Sequence, residues 1–288
     1  MEKITLIGTG LMGAPMVEQL LAEGYPVTIY NRSKEKIEPL TDAGAYAAAS
    51  VEEALSNSRT IILMLSDAQA IESLIFPDIR NVDMNNRTVI QMGTITSEES
   101  IDFLRRFMMV GGSYLEAPVL GSIPQVRNRE LFVLVGGSDQ QFREYESLLK
   151  CFGPQPMHVG PVGKAASLKL AFNQLIASLT ASFSLSLGMV LQNDIDVDLF
   201  MNILRKSALH APTFDKKLER MLGRDFSAPH FPTKHLLKDV NLVIREAEKT
   251  NLNVDALHGI RKIIEKALKM GLQDMDYSSL YNAVNPDH

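Results

Sequence analysis

Three glycines near the start of the chain are spaced for phosphate chemistry: Gly8-Thr9-Gly10-Leu11-Met12-Gly13 fits G-x-G-x-x-G. Such a turn is tight, lets a pyrophosphate approach the backbone, and lets the next helix pack close to the preceding strand. Amides at the helix N-terminus, helped by the helix dipole, then favour the anion. The spacing alone is weak, and its context strengthens it. Lys3 to Ile7 reads as a buried strand, and a helix follows through Ala22 with Met16, Leu20 and Leu21 on one side. Gly24 stands where a C′ glycine would. Val27 to Tyr30 reads as a second strand. Strand, glycine turn, helix and strand make a βαβ unit with a parallel sheet, so this segment opens a Rossmann domain for a dinucleotide.

The end of the second strand bears on which dinucleotide. An NAD site ordinarily carries Asp or Glu there to accept from the ribose 2′-hydroxyl. This chain has Asn31-Arg32-Ser33. No carboxylate repels a 2′-phosphate, and the planar Arg32 guanidinium can pair with one, with Ser33 and Lys36 in reach. NADP(H) is the expected cofactor, ahead of NAD. Leu65, closing an apolar strand from Thr60, and Thr94, just past a strand from Thr88 to Met92, are further cofactor-binding candidates.

The alternation that positions these residues continues. Val51 to Leu55 and Glu98 to Val110 read as helices, Tyr114 to Ala117 and Leu131 to Val135 as strands, and Asp139 to Leu149 as a helix after a Gly136-Gly137 turn. Residues 1–162 therefore form one α/β domain. Past Gly163 the texture becomes helical. Ala165 to Gln192 is apolar nearly all round, which predicts a long helix buried on most sides between two domains. Val197 to Ser207, Lys234 to Thr250, Asp255 to Met270 and Ser278 to Ala283 complete an all-helical C-terminal domain over 163–288.

Composition narrows the class. The chain has 288 residues, 22% charged and 45% hydrophobic, as an ordinary soluble two-domain protein would. A net charge of −5 without a basic block argues against nucleic acid or an acidic membrane surface as partner. A single cysteine, Cys151, builds no disulfide framework, fits a reducing compartment, and reads as a buried structural thiol. The first residues are too short and glycine-broken for a signal peptide, and Lys169, Asn173, Gln174 and Thr180 argue against a membrane span in the long helix. A cytoplasmic location is the expectation. The six histidines show no metal-ligand spacing, so no metal is expected.

Several motifs in order carry a family resemblance across almost the whole chain. They are the cofactor turn with Met12-Gly13, Glu116-Ala117-Pro118-Val119, Gly163 followed by Lys169 and Asn173, Phe231 with Lys238-Asp239, and the closing Gly271-Leu272-Gln273-Asp274-Met275-Asp276. With these the chain resembles the β-hydroxyacid dehydrogenase family, the relatives of 3-hydroxyisobutyrate and 6-phosphogluconate dehydrogenase. The resemblance implies hydride transfer between a nicotinamide and a small hydroxy acid or its aldehyde or keto form, in a homodimer or homotetramer. It makes Lys169 the catalytic acid/base, with Asn173 four residues on and on the same helix face. From the residues alone, Lys169 would read as a lysine snorkelling from a buried helix. The resemblance also brings Lys238 to the cofactor or substrate.

The residues after Pro118 would receive the substrate anion. Relatives commonly read Ser-Gly-Gly or Ser-Gly-Ser there, whereas this chain has Leu120-Gly121-Ser122, which leaves the carboxylate to the amides of Gly121 and Ser122. Arg129 replaces a common glycine, and Gln91 and Gly93 replace the commoner Asp and Ser. The wording Glu-Ala-Pro-Val-Leu-Gly-Ser resembles the glyoxylate and succinic semialdehyde reductase branch, and implies NADPH-dependent reduction of a small carboxylate-bearing aldehyde. Oxidative 3-hydroxyisobutyrate dehydrogenase activity with NAD(P) and a non-catalytic dinucleotide sensor are the alternatives.

Overall fold

The apolar run at the start is strand β1 (Ile4–Ile7), buried along its length. In the computed structural model, which describes residues 1–286, helix α1 (Gly13–Ala22) leads from it to β2 (Val27–Tyr30). Gly24, at φ +83°, ends α1 as expected. The chain then forms α2 (Glu38–Asp42), β3 (Tyr46–Ala47), α3 (Val51–Ser56), β4 (Thr60–Leu63), α4 (Ala68–Ile75), β5 (Thr88–Gln91), α5 (Ser97–Met109) and β6 (Ser113–Glu116). Next come β7 (Val119–Leu120), α6 (Ile123–Arg127), β8 (Phe132–Gly136), α7 (Asp139–Leu149) and β9 (Met157–Gly160), before the long α8 (Lys164–Gln192).

Six strands run parallel in the order β3-β2-β1-β4-β5-β6. Both β6 and β7 pair antiparallel with β8, and β9 pairs parallel with β8. The strand order reverses between β1 and β4, and open α/β sheets bind ligands beyond the strand ends at such a switch point. Side chains alternate to two covered faces. Ile4, Leu6, Ile62, Ile90 and Leu115 pack with Met16, Val17 and Leu20 of α1. Ile7, Ile61, Leu63, Val89 and Tyr114 pack with Leu55, Ile71, Ile75, Phe103 and Phe107 on the other face. Two apolar faces explain why these strands read as unbroken apolar runs. Cys151 is buried with the first face, and burial pushes its thiol pKa up.

Two compact units divide the chain, the first Met1–Leu170 and the second from Ala171. Among the described residues the main elements of the second are helices, α9 (Val197–Lys206), α10 (Pro212–Leu222), α11 (Thr233–Lys249), α12 (Asp255–Lys269) and α13 (Leu280–Val284). Phe183 and Leu187 of α8 pack there with Met201, Phe214, Leu218, Met221 and Tyr281. A buried ion pair ties α10 to the chain before α13: Lys217 Nζ lies 2.7 Å from Asp276 Oδ1 and 4.3 Å from the Tyr277 ring centroid. Asp276 also accepts from the Ser278 amide and hydroxyl.

Helix α8 is continuous, as expected, and by length and composition apolar enough to cross a membrane. Its burial is less complete than expected. Leu175, Leu185 and Met189 lie on one side of it and are 50%, 56% and 61% exposed. Leu199 and Ile203, one turn apart on α9, are exposed too.

Candidate active site

The glycine turn is shaped by close backbone approach. Gly8 has φ +103°, and a Cβ there would lie 2.3 Å from the Met64 carbonyl oxygen. A Cβ at Gly13 would lie 1.9 Å from the Gly8 oxygen, so strand, turn and helix meet only without side chains at both positions. Gly10 faces open space. Met12 precedes α1 without a side-chain cap, and the first turn of α1 carries no acid. The first amides of a helix lack partners within it; in α1 that of Ala14 bonds back to the Gly10 carbonyl at 3.0 Å and Pro15 has none, which leaves that of Gly13 to meet an anion. Leu11 is exposed and Met12 half-buried.

Asn31 fastens this turn. Its Oδ1 accepts from the Thr9 amide at 3.2 Å, and its Nδ2 donates to the Ser33 carbonyl at 3.1 Å. Thr9 Oγ1 donates to the Lys36 carbonyl at 3.3 Å. Asn31 thus serves the shape of the turn with both polar atoms, while Arg32 is exposed and has no ion pair among the described residues. Leu65 sits beside Gly8, its Cδ2 3.0 Å from a Cβ built there, and its carbonyl oxygen is 2.5 Å from a Cβ built at Gly93. The ends of β1, β4 and β5 therefore converge, with half-buried Thr94 following Gly93. An uncapped helix start and an open glycine fit a dinucleotide, with the exposed Arg32 beside them in the chain fold.

The loop after β7 differs from the expected amide nest. The Ser122 amide and Oγ both donate to Gln125 Oε1, at 3.0 and 2.7 Å. Gly121, at φ +139°, is packed so that a Cβ would lie 2.5 Å from Leu131 Cδ2. Of the two amides expected to receive a carboxylate, that of Ser122 is already engaged. Arg129, at φ +57°, reaches α1 instead of the loop: its Nε donates to Gln19 Oε1 at 2.8 Å, and its guanidinium pairs with Glu23 at 2.5 Å.

On α8, Lys169 is 8% exposed and Asn173, one turn on, is 2% exposed, while Lys164 is exposed. Within the second unit Asn173 Nδ2 donates to Asp239 Oδ2 at 2.6 Å. A carboxylate only accepts, so this bond fixes the carboxamide orientation and leaves Asn173 Oδ1 as the free acceptor. That oxygen is buried and has no hydrogen-bond partner. Lys238 Nζ lies 2.8 Å from Asp239 Oδ1, an ion pair whose angles fall short of a hydrogen bond. His235 stacks on Phe231, with ring centroids 6.4 Å apart.

The sequence motifs contain Asp239 and Glu116 without assigning them roles, and Gln125 lies outside them. Adjacency to Lys238 is the available signal for Asp239. The S-x-x-Q spacing of Ser122 and Gln125 is a capping-box signature. Glu116 is a charge inside the apolar strand Ser113–Glu116, and it is 1% exposed. Among the described residues no cluster of His, Cys, Asp and Glu could hold a metal ion.

A doubly wound sheet with a close-packed glycine turn after its first strand defines a dinucleotide-binding fold, and the comparisons with known proteins give its class. Residues 3–160 match the family described as the NAD binding domain of 6-phosphogluconate dehydrogenase, and residues 163–284 match NAD-binding of NADP-dependent 3-hydroxyisobutyrate dehydrogenase. The chain belongs to the β-hydroxyacid dehydrogenase family, NAD(P)-dependent oxidoreductases acting on hydroxyl donors. It is 28% identical over 284 residues to glyoxylate/succinic semialdehyde reductase 1 of Arabidopsis thaliana, covering 98% of each chain. Its fold is that of 3-hydroxyisobutyrate dehydrogenase from Salmonella typhimurium, with a TM-score of 0.87 at 18% identity over 98% of this chain and 99% of that one. Psf3 in complex with NADP+ and 2-OPP has the same fold, with a TM-score of 0.85 at 20% identity over 98% and 99% of the two chains.

Proposed function

We propose that this protein reduces a small carboxylate-bearing aldehyde, of the glyoxylate or succinic semialdehyde type, to its hydroxy acid with NADPH. The observation that carries the chemistry is Lys169, buried on α8 one turn from Asn173, whose Oδ1 is an unpaired buried acceptor. The Arabidopsis relative supports the substrate class, and Arg32 without a neighbouring carboxylate at the end of β2 supports NADP.

When bound, NADPH supplies the hydride. As hydride reaches the carbonyl carbon, negative charge grows on oxygen, and the Lys169 ammonium stabilises it and donates the proton. Asn173 Oδ1 is the acceptor available to the nascent hydroxyl. Asp239 fixes the orientation of this carboxamide by holding its nitrogen. Gly8 to Gly13 would hold the pyrophosphate, and Arg32 would pair with the 2′-phosphate. Gly121 offers the carboxylate its amide, and Ser122 does so once Gln125 yields.

A panel of glyoxylate, succinic semialdehyde, methylmalonate semialdehyde and tartronate semialdehyde, followed by NADPH oxidation, tests this reading. Acid-bearing aldehydes should far outperform neutral aldehydes of similar size. Equal use of a neutral aldehyde refutes the anion site. Turnover only of 3-hydroxyisobutyrate with NAD(P)+ would establish the oxidative alternative, and cofactor binding without any turnover would establish a sensor. We further infer a homo-oligomer, in which a second copy covers the exposed leucine and methionine side of α8 and the exposed α9 residues.

A further inference from the structure

We infer that Glu116 is a positioning residue for the reaction: its carboxylate pins the first turn of α8 to the sheet and so fixes where Lys169 stands. Oε1 accepts from the amides of Gly163, Ala165 and Ala166 at 2.8, 2.9 and 3.1 Å. The other oxygen accepts from Ser100 Oγ, which lies 2.9 Å from the Tyr114 hydroxyl. Gly163 has no side chain with which to cap the helix that follows it. The cap comes instead from a strand end 47 to 50 residues away in the chain. A local cap fixes a helix only to its own preceding residues, whereas this one fixes α8 to β6 and, through Ser100, to α5.

The sheet is built around the carboxylate. Gly136 lies opposite Glu116 in the ladder, and a Cβ there would be 2.4 Å from Oε1. Burial raises the Glu116 pKa, while its hydrogen bonds from Ser100, Ala166, Gly163 and Ala165 act the other way. An apolar residue at 116 would remove the buried carboxyl group but leave buried amides unpaired, and each unpaired group is costly. One oxygen holding a fan of amides tolerates little displacement, since useful N–H···O distances span only about 2.7–3.2 Å. Lys169 follows Ala166 by three residues, about 4.5 Å along the same axis. Any tilt or slip of the first turn is carried directly to the ammonium.

This inference rests on Lys169 being the proton donor, and the test separates the two claims. Glu116→Gln, Glu116→Ala, Gly136→Ala and Lys169→Ala are compared in single-turnover hydride transfer from NADPH to the best aldehyde of the panel, at saturation. NADPH Kd and melting temperature are measured for each. Glu116→Ala and Gly136→Ala should slow transfer at least about tenfold while NADPH Kd stays within about twofold, because misplacement of about 1 Å can cost up to 10²-fold. Glu116→Gln keeps an acceptor oxygen for the amides and should restore the rate to within about threefold of the parent. If Glu116→Ala does not fold, Gly136→Ala decides, since it retains every hydrogen-bonding group and only crowds the carboxylate. Parent-like rates in the folded variants overturn the inference, as does a rate that falls in step with cofactor affinity. A Glu116→Gln rate as low as that of Glu116→Ala also overturns it, by showing that charge matters and the hydrogen-bond geometry does not. Full activity in Lys169→Ala overturns the proton-donor reading itself, whatever the Glu116 variants do.

Discussion

Arg32→Ala removes the cation that immediately follows Asn31 at the end of β2. Arg32 is exposed and makes no ion pair among the described residues, so its loss unpairs no buried group. The change should therefore appear in cofactor affinity and hardly at all in stability. A hydrogen bond to a charged group contributes about 1.5–3 kcal/mol. Exposure and salt place this site at the low end, because the Debye length is only about 8 Å at physiological ionic strength. About 1.5–2 kcal/mol corresponds to roughly 10–30-fold weaker NADPH binding. NADH has no 2′-phosphate, so its loss should stay below about threefold. Fluorescence titration of both cofactors at low and high salt measures this, and the NADPH advantage of the parent should narrow as salt rises. Asn31→Ala is the contrasting variant. It unfastens Thr9 and the turn, so it should weaken both cofactors alike. Equal losses of NADPH and NADH in Arg32→Ala, or no loss of either, refute the 2′-phosphate reading.

Lys169→Ala should lower kcat by at least about 10² with NADPH binding nearly intact, while Lys164→Ala, exposed and five positions away, should change it little; steady-state kinetics with bound-cofactor controls decides. Met189→Glu places a charge on the exposed apolar side of α8 and, for the homo-oligomer proposed above, should shift the protein toward monomer in light scattering after size exclusion. Lys217→Met leaves the Asp276 carboxylate buried without its cation and should cost about 3–5 kcal/mol in urea unfolding. Burial raises the Asp276 pKa, but Lys217 and Ser278 outweigh it and hold the pKa below the ordinary carboxylate value. The stability from this group is therefore full above the unfolded pKa of about 3.9, and is lost as pH falls through the lower folded value. In Lys217→Met the acid-induced loss should begin at higher pH, and an unchanged acid transition would show that the pair does not set it.

Much of the first unit is legible because its two physical signals are strong. Strands covered on both faces are continuous apolar runs, and β2 and α7 fall where these runs and the helix patterning place them. Other elements lack such signals. β9 is exposed to half-buried along its length, and β3 has only two residues, so neither carries a burial pattern. The pattern of α10 is present in Phe214, Leu218 and Met221, but lies among charged residues. The α8 helix is readable from its composition, while its exposed side is not, because composition cannot tell an apolar surface facing the core from one facing outward. The site divides the same way. Gly8 to Gly13 are legible because their spacing follows from backbone approach. Bonds such as Asn173 to Asp239 and Ser122 to Gln125 depend on rotamers and tertiary placement. A charge in an apolar strand signals that Glu116 needs partners, and only the fold shows that those partners are the amides of a helix beginning some fifty residues later.

The burial of Cys151 has a practical consequence for anyone who wants to watch this molecule move. It is the chain's only cysteine, 5% exposed, with a thiol that burial pushes away from the reactive thiolate. Maleimide reagents should therefore find almost nothing to modify on the folded protein. A single cysteine introduced at exposed Met109, at the end of α5, would take one fluorophore without first stripping the native thiol. The native thiol then serves as an internal alarm, since its labelling reports that the first unit has opened.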